Sequence, residues 1–145
     1  MRGKVGFTCG AFDLLHAGHA IMLEECKKYC DYLVVGVQSD PSLDRKSKNS
    51  PVMSYKERVT MVNSIKWVDE IILYDTEEDL HNMLVSKSDS GEIHVRIIGA
   101  DWKGKKFTGH SIDMEVVFNS RSHNYSTSDL RRRVYQAEKN KLDES

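Results

Sequence analysis

Two imidazoles three positions apart, His16 and His19, bracket a glycine in His16-Ala17-Gly18-His19. The segment lies where a loop, Thr8-Cys9-Gly10-Ala11-Phe12-Asp13-Leu14-Leu15, runs into a stretch of helical spacing. Unpaired backbone N–H groups at a helix start, together with the helix dipole, favour a bound anion. Imidazoles placed there can donate hydrogen bonds to phosphate oxygens and stabilise charge developing on a leaving group. Other chemistry is open to the same residues. With Cys9 the pair could begin a zinc site, although no clear third ligand accompanies it. The histidines could also be incidental to the helix start. Asp13 could approach a metal or cap the loop, and Gly10 permits a tight turn or close approach of backbone to ligand.

Basic residues recur at a distance from this segment. Ser39 to Met53 reads as a long polar loop with Pro41 and Pro51, and it carries Arg45, Lys46 and Lys48. Long loops of this kind are often functional, and these cations could either neutralise phosphates or form a solvated surface. Arg58 and Arg121 are further cations. Arg131-Arg132-Arg133 reads as a solvated helix face with no catalytic role, and Asp101 and Trp102 could serve only to order a loop. Cys26 and Cys30 share a helix face with apolar neighbours and read as core.

The elements that must position these residues follow from the hydrophobic pattern. Lys4–Thr8 reads as a strand, Gly18–Cys30 as a helix with Ile21, Leu23, Cys26 and Tyr29 on one side, and Tyr32–Val37 as a strand. The near-continuous apolar run of that second strand fits a parallel sheet covered on both faces. Ser54–Lys66 opens with a Ser54…Glu57 capping-box pattern and places Val59, Val62 and Ile65 on one face, which predicts a helix. Glu70–Tyr74, His94–Ile98 and Met114–Phe118 read as strands; Glu77–Val85 and Ser126–Lys139 read as helices. Strands alternating with helices predict an α/β fold, a Rossmann-like open parallel sheet with helices on both faces. A single domain spans residues 1–139, with 140–145 as a frayed tail. Ligands of such sheets bind beyond the carboxyl ends of the strands, so the loops after the first, second, fourth and fifth strands are the candidate site.

Composition narrows the function classes. A chain of 145 residues fits one domain with a real core, and 39% hydrophobic with 30% charged residues is ordinary for a globular protein. A formal net charge of −1 gives no global case for nucleic-acid binding. No apolar run approaches the roughly 20 residues of a bilayer span, and Met1-Arg2-Gly3-Lys4 leads into a strand without a signal-peptide core. Three cysteines suggest no disulfide framework. The expectation is a cytoplasmic protein with no nucleic-acid partner and no membrane insertion.

Gly10-Ala11-Phe12-Asp13-Leu14-Leu15-His16-Ala17-Gly18-His19 closely resembles the HxGH signature of the cytidylyltransferase family. Ile98-Gly99-Ala100-Asp101-Trp102-Lys103-Gly104-Lys105 resembles its GxDW segment, and Arg121-Ser122-His123-Asn124-Tyr125-Ser126-Thr127-Ser128 its RTxGIST segment. The helix start Ser54-Tyr55-Lys56-Glu57-Arg58 also matches, and the blocks fall in the family's order over about Lys4 to Val134. In length and spacing the chain is most similar to the bacterial glycerol-3-phosphate cytidylyltransferases.

The resemblance implies a nucleotidyltransferase fold and transfer of CMP from CTP to a small phosphorylated alcohol, glycerol 3-phosphate first, giving CDP-glycerol and pyrophosphate. Phosphoethanolamine, phosphocholine or a sugar phosphate are alternative acceptors. An ATP-using adenylyltransferase and a silent nucleotide-binding module are alternative activities. By the same resemblance His16, His19, Lys46 and Arg121 are catalytic. Cys9, Gly10, Ala11, Phe12, Lys48, Asp101, Tyr125, Ser126, Thr127 and Ser128 join the histidines and Arg121 around the nucleotide, and Lys46, Arg58 and His81 meet the acceptor. Mg²⁺ is expected on the CTP phosphates, with Asp13 as a possible ligand, and a homodimer is expected. An acceptor phosphate monoester, with a second pKa of about 6, is largely dianionic at neutral pH and needs no protein nucleophile. The enzyme's task is to neutralise and align two polyanions. The sequence departs from the family pattern at Ala11, where relatives carry threonine, at Ala100, at Ser122, Asn124 and Tyr125, and throughout Tyr74–Leu84.

Overall fold

Strand β1, Val5–Gly10, is the axis of the sheet. In the computed structural model, which describes residues 2–145, it is followed by α1 (Ala17–Lys27), β2 (Tyr32–Gln38), α2 (Tyr55–Asn63), β3 (Glu70–Tyr74), α3 (Glu77–Asp89), β4 (Val95–Gly99), β5 (Glu115–Asn119) and α4 (Thr127–Asp143). Short 3₁₀ turns lie at Pro41–Leu43 and Ala100–Trp102. The strands form one five-stranded sheet in the order β3-β2-β1-β4-β5, and every pairing is parallel.

The apolar run of β2 acquires its meaning here. Leu33, Val35 and Val37 pack with Leu23 and Cys26 of α1 and Val62 of α2 in one core. Val34 points the other way, into a second core with Phe7, Leu80 and Leu84. The two-residue alternation of a strand sends successive side chains to opposite faces, so a strand with helices on both faces must be apolar throughout. The fold is therefore the expected open parallel α/β sheet.

Several boundaries move, and those of β1 and β4 move toward the site. β1 continues to Gly10, which pairs with Val37, and β4 to Gly99, which pairs with Asn119. Strand pairing thus persists into Gly10, which reads as a turn former, and into Gly99. α3 runs past Val85 to Asp89. α4 runs past Lys139 to Asp143, so most of the stretch expected as a tail is helical. The Gln136 amide donates to Asn140 Oδ1 at 2.8 Å, and the Glu144 N–H closes on Asn140 O at 3.2 Å.

From β1 the chain builds outward through β2 to β3, then returns to place β4 and β5 on the other side. The loops leaving β1 and β4 consequently diverge and open a crevice at the carboxyl edge of the sheet. Among the described residues no helix is long and apolar enough to cross a membrane.

Candidate active site

The loop after β1 is held in an unusual shape. Phe12 and Leu14 take positive φ, 55° and 51°, a region costly for residues with bulky side chains. The expected turn former, Gly10, does not carry this strain. Neighbouring groups fix the loop instead. Asp13 accepts the N–H groups of Val52 and Met53, both at 2.9 Å. Arg58 donates to the carbonyls of Ala11 (2.9 Å), Gln38 (2.6 Å), Met53 (3.1 Å) and Ser39. Phe12 is itself buried, with its ring tilted against that of His19 at 5.5 Å.

The two histidines form the N-terminal cap of α1. His16 Nδ1 accepts the Gly18 N–H at 3.0 Å, and His19 Nδ1 accepts the His16 N–H at 3.1 Å, a reciprocal capping box. A backbone N–H can only donate, so Nδ1 is the unprotonated nitrogen in both neutral rings and Nε2 carries the proton. His16 Nε2–H reaches Thr127 Oγ1 at 3.1 Å, linking the starts of α1 and α4. The rings lie 4.0 Å apart. Burial, then the neighbouring His16, pushes His19 down to about 4. His16 is lowered by burial and then by His123, Arg121 and Arg133. At neutral pH the pair is uncharged and presents N–H donors. Gly18 is required between them: a Cβ there would lie 2.8 Å from Cε1 of both His16 and His123.

The crevice, of about 470 Å³, is lined from the first loop by Cys9, Gly10, Ala11, Phe12, Asp13 and His19. Lys48, Asp101, Thr127 and Ser128 join them from the other loops. A smaller recess of about 250 Å³ holds His16, Arg121, Tyr125 and Ser126. His19, Met22, Gly99, Asp101, Asn119 and Thr127 line both, so His19 stands where the two meet, with His16 beside it in the smaller recess. Arg121 donates to Tyr125 O at 3.2 Å, and Tyr125 stacks on His123 with ring centroids 5.5 Å apart. Ser126 caps α4 by accepting the Asp129 N–H at 3.0 Å.

Three residues expected at the acceptor do not line the crevice. Arg58 is 1% exposed and lies beneath the crevice; its guanidinium is engaged by the four carbonyls above. His81 does not line the crevice, because the inward face of α3 is set by Leu80 and Leu84, and Glu77 continues it to the rim. Lys46 is exposed and does not line the wall, whereas Arg45 and Lys48 of the same loop do. Asp13, considered for a metal, has both oxygens on backbone N–H groups. Among the described residues no group of three His, Cys, Asp or Glu side chains is placed to hold a metal ion.

Other wall residues escaped the sequence reading. Arg131, read as part of a solvated face, lines the crevice with Nη1 3.9 Å from Asp13 Oδ2. That nitrogen is buried and makes no hydrogen bond. The spacing Thr127, Ser128, Arg131 is one helix face and could have signalled it. Arg96, Glu77 and Thr108 also line the wall. A charged residue inside the apolar strand Val95–Gly99 was the available signal for Arg96.

Comparison with known proteins agrees with this geometry. The chain is 35% identical over 135 residues to the bifunctional protein HldE of Campylobacter concisus, covering 92% of this chain and 28% of that protein. It is 32% identical over 132 residues to the bifunctional protein HldE of Helicobacter pylori strain Shi470, covering 90% of this chain and 27% of that protein. The chain thus spans just over a quarter of the length of these relatives. Among solved structures it resembles the lipopolysaccharide core biosynthesis protein from Thermoplasma volcanium, with a TM-score of 0.64 and 25% identity over 85% of this chain and 99% of that one. A NadR protein in complex with NAD and AMP-PNP shares the fold at a TM-score of 0.50 and 14% identity, over 97% of this chain and 43% of that one. Residues 7–133 match the model of the cytidylyltransferase-like family, and the chain belongs to that family of nucleotidyltransferases.

Proposed function

We propose that the protein transfers a nucleoside monophosphate from a nucleoside triphosphate to the phosphate of a small phosphorylated alcohol, with CTP and glycerol 3-phosphate as the first pair. The observation that carries this reading is the pair of neutral imidazoles, with His19 lining both cavities and His16 Nε2–H between the starts of α1 and α4. An acceptor phosphate oxygen forms the new bond to the α-phosphorus as the bond to pyrophosphate breaks. The chain supplies no nucleophile. His16 and His19 donate to the phosphoryl oxygens as charge develops on them and on the leaving group. Arg131, Lys48 and the N–H groups at Thr127 and Ser128 hold the triphosphate, and the recess bounded by Arg121 and Tyr125 takes the nucleoside.

Mg²⁺ fits this site as an ion carried on the triphosphate, which it would help neutralise. The wall offers more cations than carboxylates, and Asp13 is engaged by backbone. Few protein ligands are what such an ion needs.

A second reading, an adenylyltransferase of the same fold acting on a sugar phosphate, is favoured by the likeness to the HldE proteins and to a lipopolysaccharide core biosynthesis protein. A matrix of CTP and ATP against glycerol 3-phosphate, phosphoethanolamine, phosphocholine and sugar phosphates decides between them, read as acceptor-dependent pyrophosphate release. Release from CTP with glycerol 3-phosphate supports the first pair, and release from ATP with a sugar phosphate the second. Nucleotide binding without transfer to any acceptor, unchanged by His16→Ala, would overturn both.

A further inference from the structure

The half of the crevice on the α3 side carries a buried positive charge that the chemistry above does not use. Arg96 is 6% exposed and lines the crevice. Its guanidinium lies over the rings of Phe7 at 5.8 Å and Phe107 at 5.4 Å. One Nη donates to Thr108 O at 2.7 Å, the other to the Cys9 sulfur at 3.6 Å, and Nε is buried without a partner. Sulfur is a weak acceptor. Among the described residues no carboxylate stands within ion-pair distance of Arg96. The nearby acid, Glu77, is already engaged: Arg45 pairs with one oxygen at 3.1 Å and the Thr108 hydroxyl donates to the other at 2.8 Å. In the wall at this end two guanidinium groups, Arg45 and Arg96, face one carboxylate, Glu77; Asp44, exposed and outside the wall, is engaged by the Glu77 N–H at 2.6 Å. A buried cation without a counter-charge is costly and is relieved by a ligand that brings electron-rich oxygen.

We infer that Arg96, with Arg45 and Glu77, determines the acceptor class: the site takes phosphorylated polyols or sugars and rejects phosphorylated amino alcohols. This rests on the transferase reading. A hydroxyl or anionic oxygen displaces the weak sulfur contact of Arg96 and gains a charge-assisted hydrogen bond. An ammonium or trimethylammonium group meets an unscreened guanidinium, and the carboxylate that could offset it is paired with Arg45.

The test compares glycerol 3-phosphate, a hexose 1-phosphate and phosphoethanolamine as acceptors for the wild type, Arg96→Met, Arg96→Lys and Glu77→Gln. The wild type should favour at least one of the two hydroxylated acceptors over phosphoethanolamine by about tenfold or more in kcat/KM. Arg96→Met should lose about tenfold on the favoured acceptor and narrow the preference, with the nucleotide KM unchanged. Arg96→Lys should keep the preference. If Arg96→Met does not fold, Glu77→Gln still reports, because a more positive subsite should widen the preference. A wild type that favours phosphoethanolamine overturns the inference, as does an Arg96→Met or Glu77→Gln protein that leaves the acceptor ratio unmoved. Calorimetric titration of the same acceptors separates this from the reading it rests on. Without transfer to any acceptor the transferase reading fails; glycerol 3-phosphate or hexose phosphate binding that is lost in Arg96→Met still supports the subsite, and binding that is absent or indifferent to Arg96 overturns it.

Discussion

Replacing His16 by asparagine separates its two jobs. Nδ1 of His16 caps α1 by accepting the Gly18 N–H at 3.0 Å, and Nε2–H, which reaches Thr127 Oγ1 at 3.1 Å, is the donor available to a ligand. The side-chain oxygen of asparagine occupies nearly the position of Nδ1 and is among the best N-caps, but it has no group in the place of Nε2. His16→Asn should therefore keep the cap and lose the donor. Loss of one donor aimed at developing charge costs roughly 10²–10³ in kcat, or about 2.7–4 kcal/mol. His16→Ala loses the cap as well, at about 1 kcal/mol, which for a chain of this size lowers Tm by roughly 2–4 °C. The assay is pyrophosphate release at saturating nucleotide and acceptor, paired with calorimetric melting. The expected pattern is a shared fall in kcat and a larger Tm loss in the alanine variant, because both variants lose the Thr127 contact and only alanine also loses the cap. Loss restricted to KM in His16→Asn would refute a role in the transition state. Equal Tm for the two variants would refute the capping argument.

Arg58→Met should be a folding variant: it strands four carbonyls beneath the site, and a loss of about 3 kcal/mol or more is expected in urea unfolding. A stable Arg58→Met protein with only a raised acceptor KM would return Arg58 to the acceptor. Gly18→Ala should lower turnover about tenfold or more despite the better helix propensity of alanine, because its Cβ would sit 2.8 Å from His16 and His123; full activity contradicts this. His19 falls from 6.5 in the unfolded chain to about 4 when folded, so below 6.5 the unfolded state binds the extra proton. Its effect is absent above that pH, and stability declines as pH falls from 6.5 toward 4. Urea unfolding of His19→Gln should show a flatter pH dependence over that window, and an unchanged slope rejects the assignment. Arg131→Met should raise the nucleotide KM about tenfold, whereas Arg132→Ala, exposed on the same helix, should not; equal effects would make the arginine run a diffuse charge.

The alternation of strands and helices, the parallel sheet and the histidine pair at a helix start are legible in the order of residues alone. These are local or periodic properties: the apolar run of β2 and the Ser54…Glu57 box are written in adjacent residues. Even the reciprocal capping by His16 and His19 needs only their spacing of three. Tertiary structure decided which charges face the crevice. Lys46 and Arg45 are neighbours, yet only Arg45 lines the wall. Arg58 reads as a free cation and is buried under carbonyls from the loop after β1, the end of β2 and the loop after β2. Arg131 reads as surface and is turned inward when the start of α4 docks on His16 through Thr127. The physical reason is that helix and strand periodicity fixes relative orientation along one element. Whether a long cationic side chain meets water, a carbonyl or a ligand depends on what other elements bring to it.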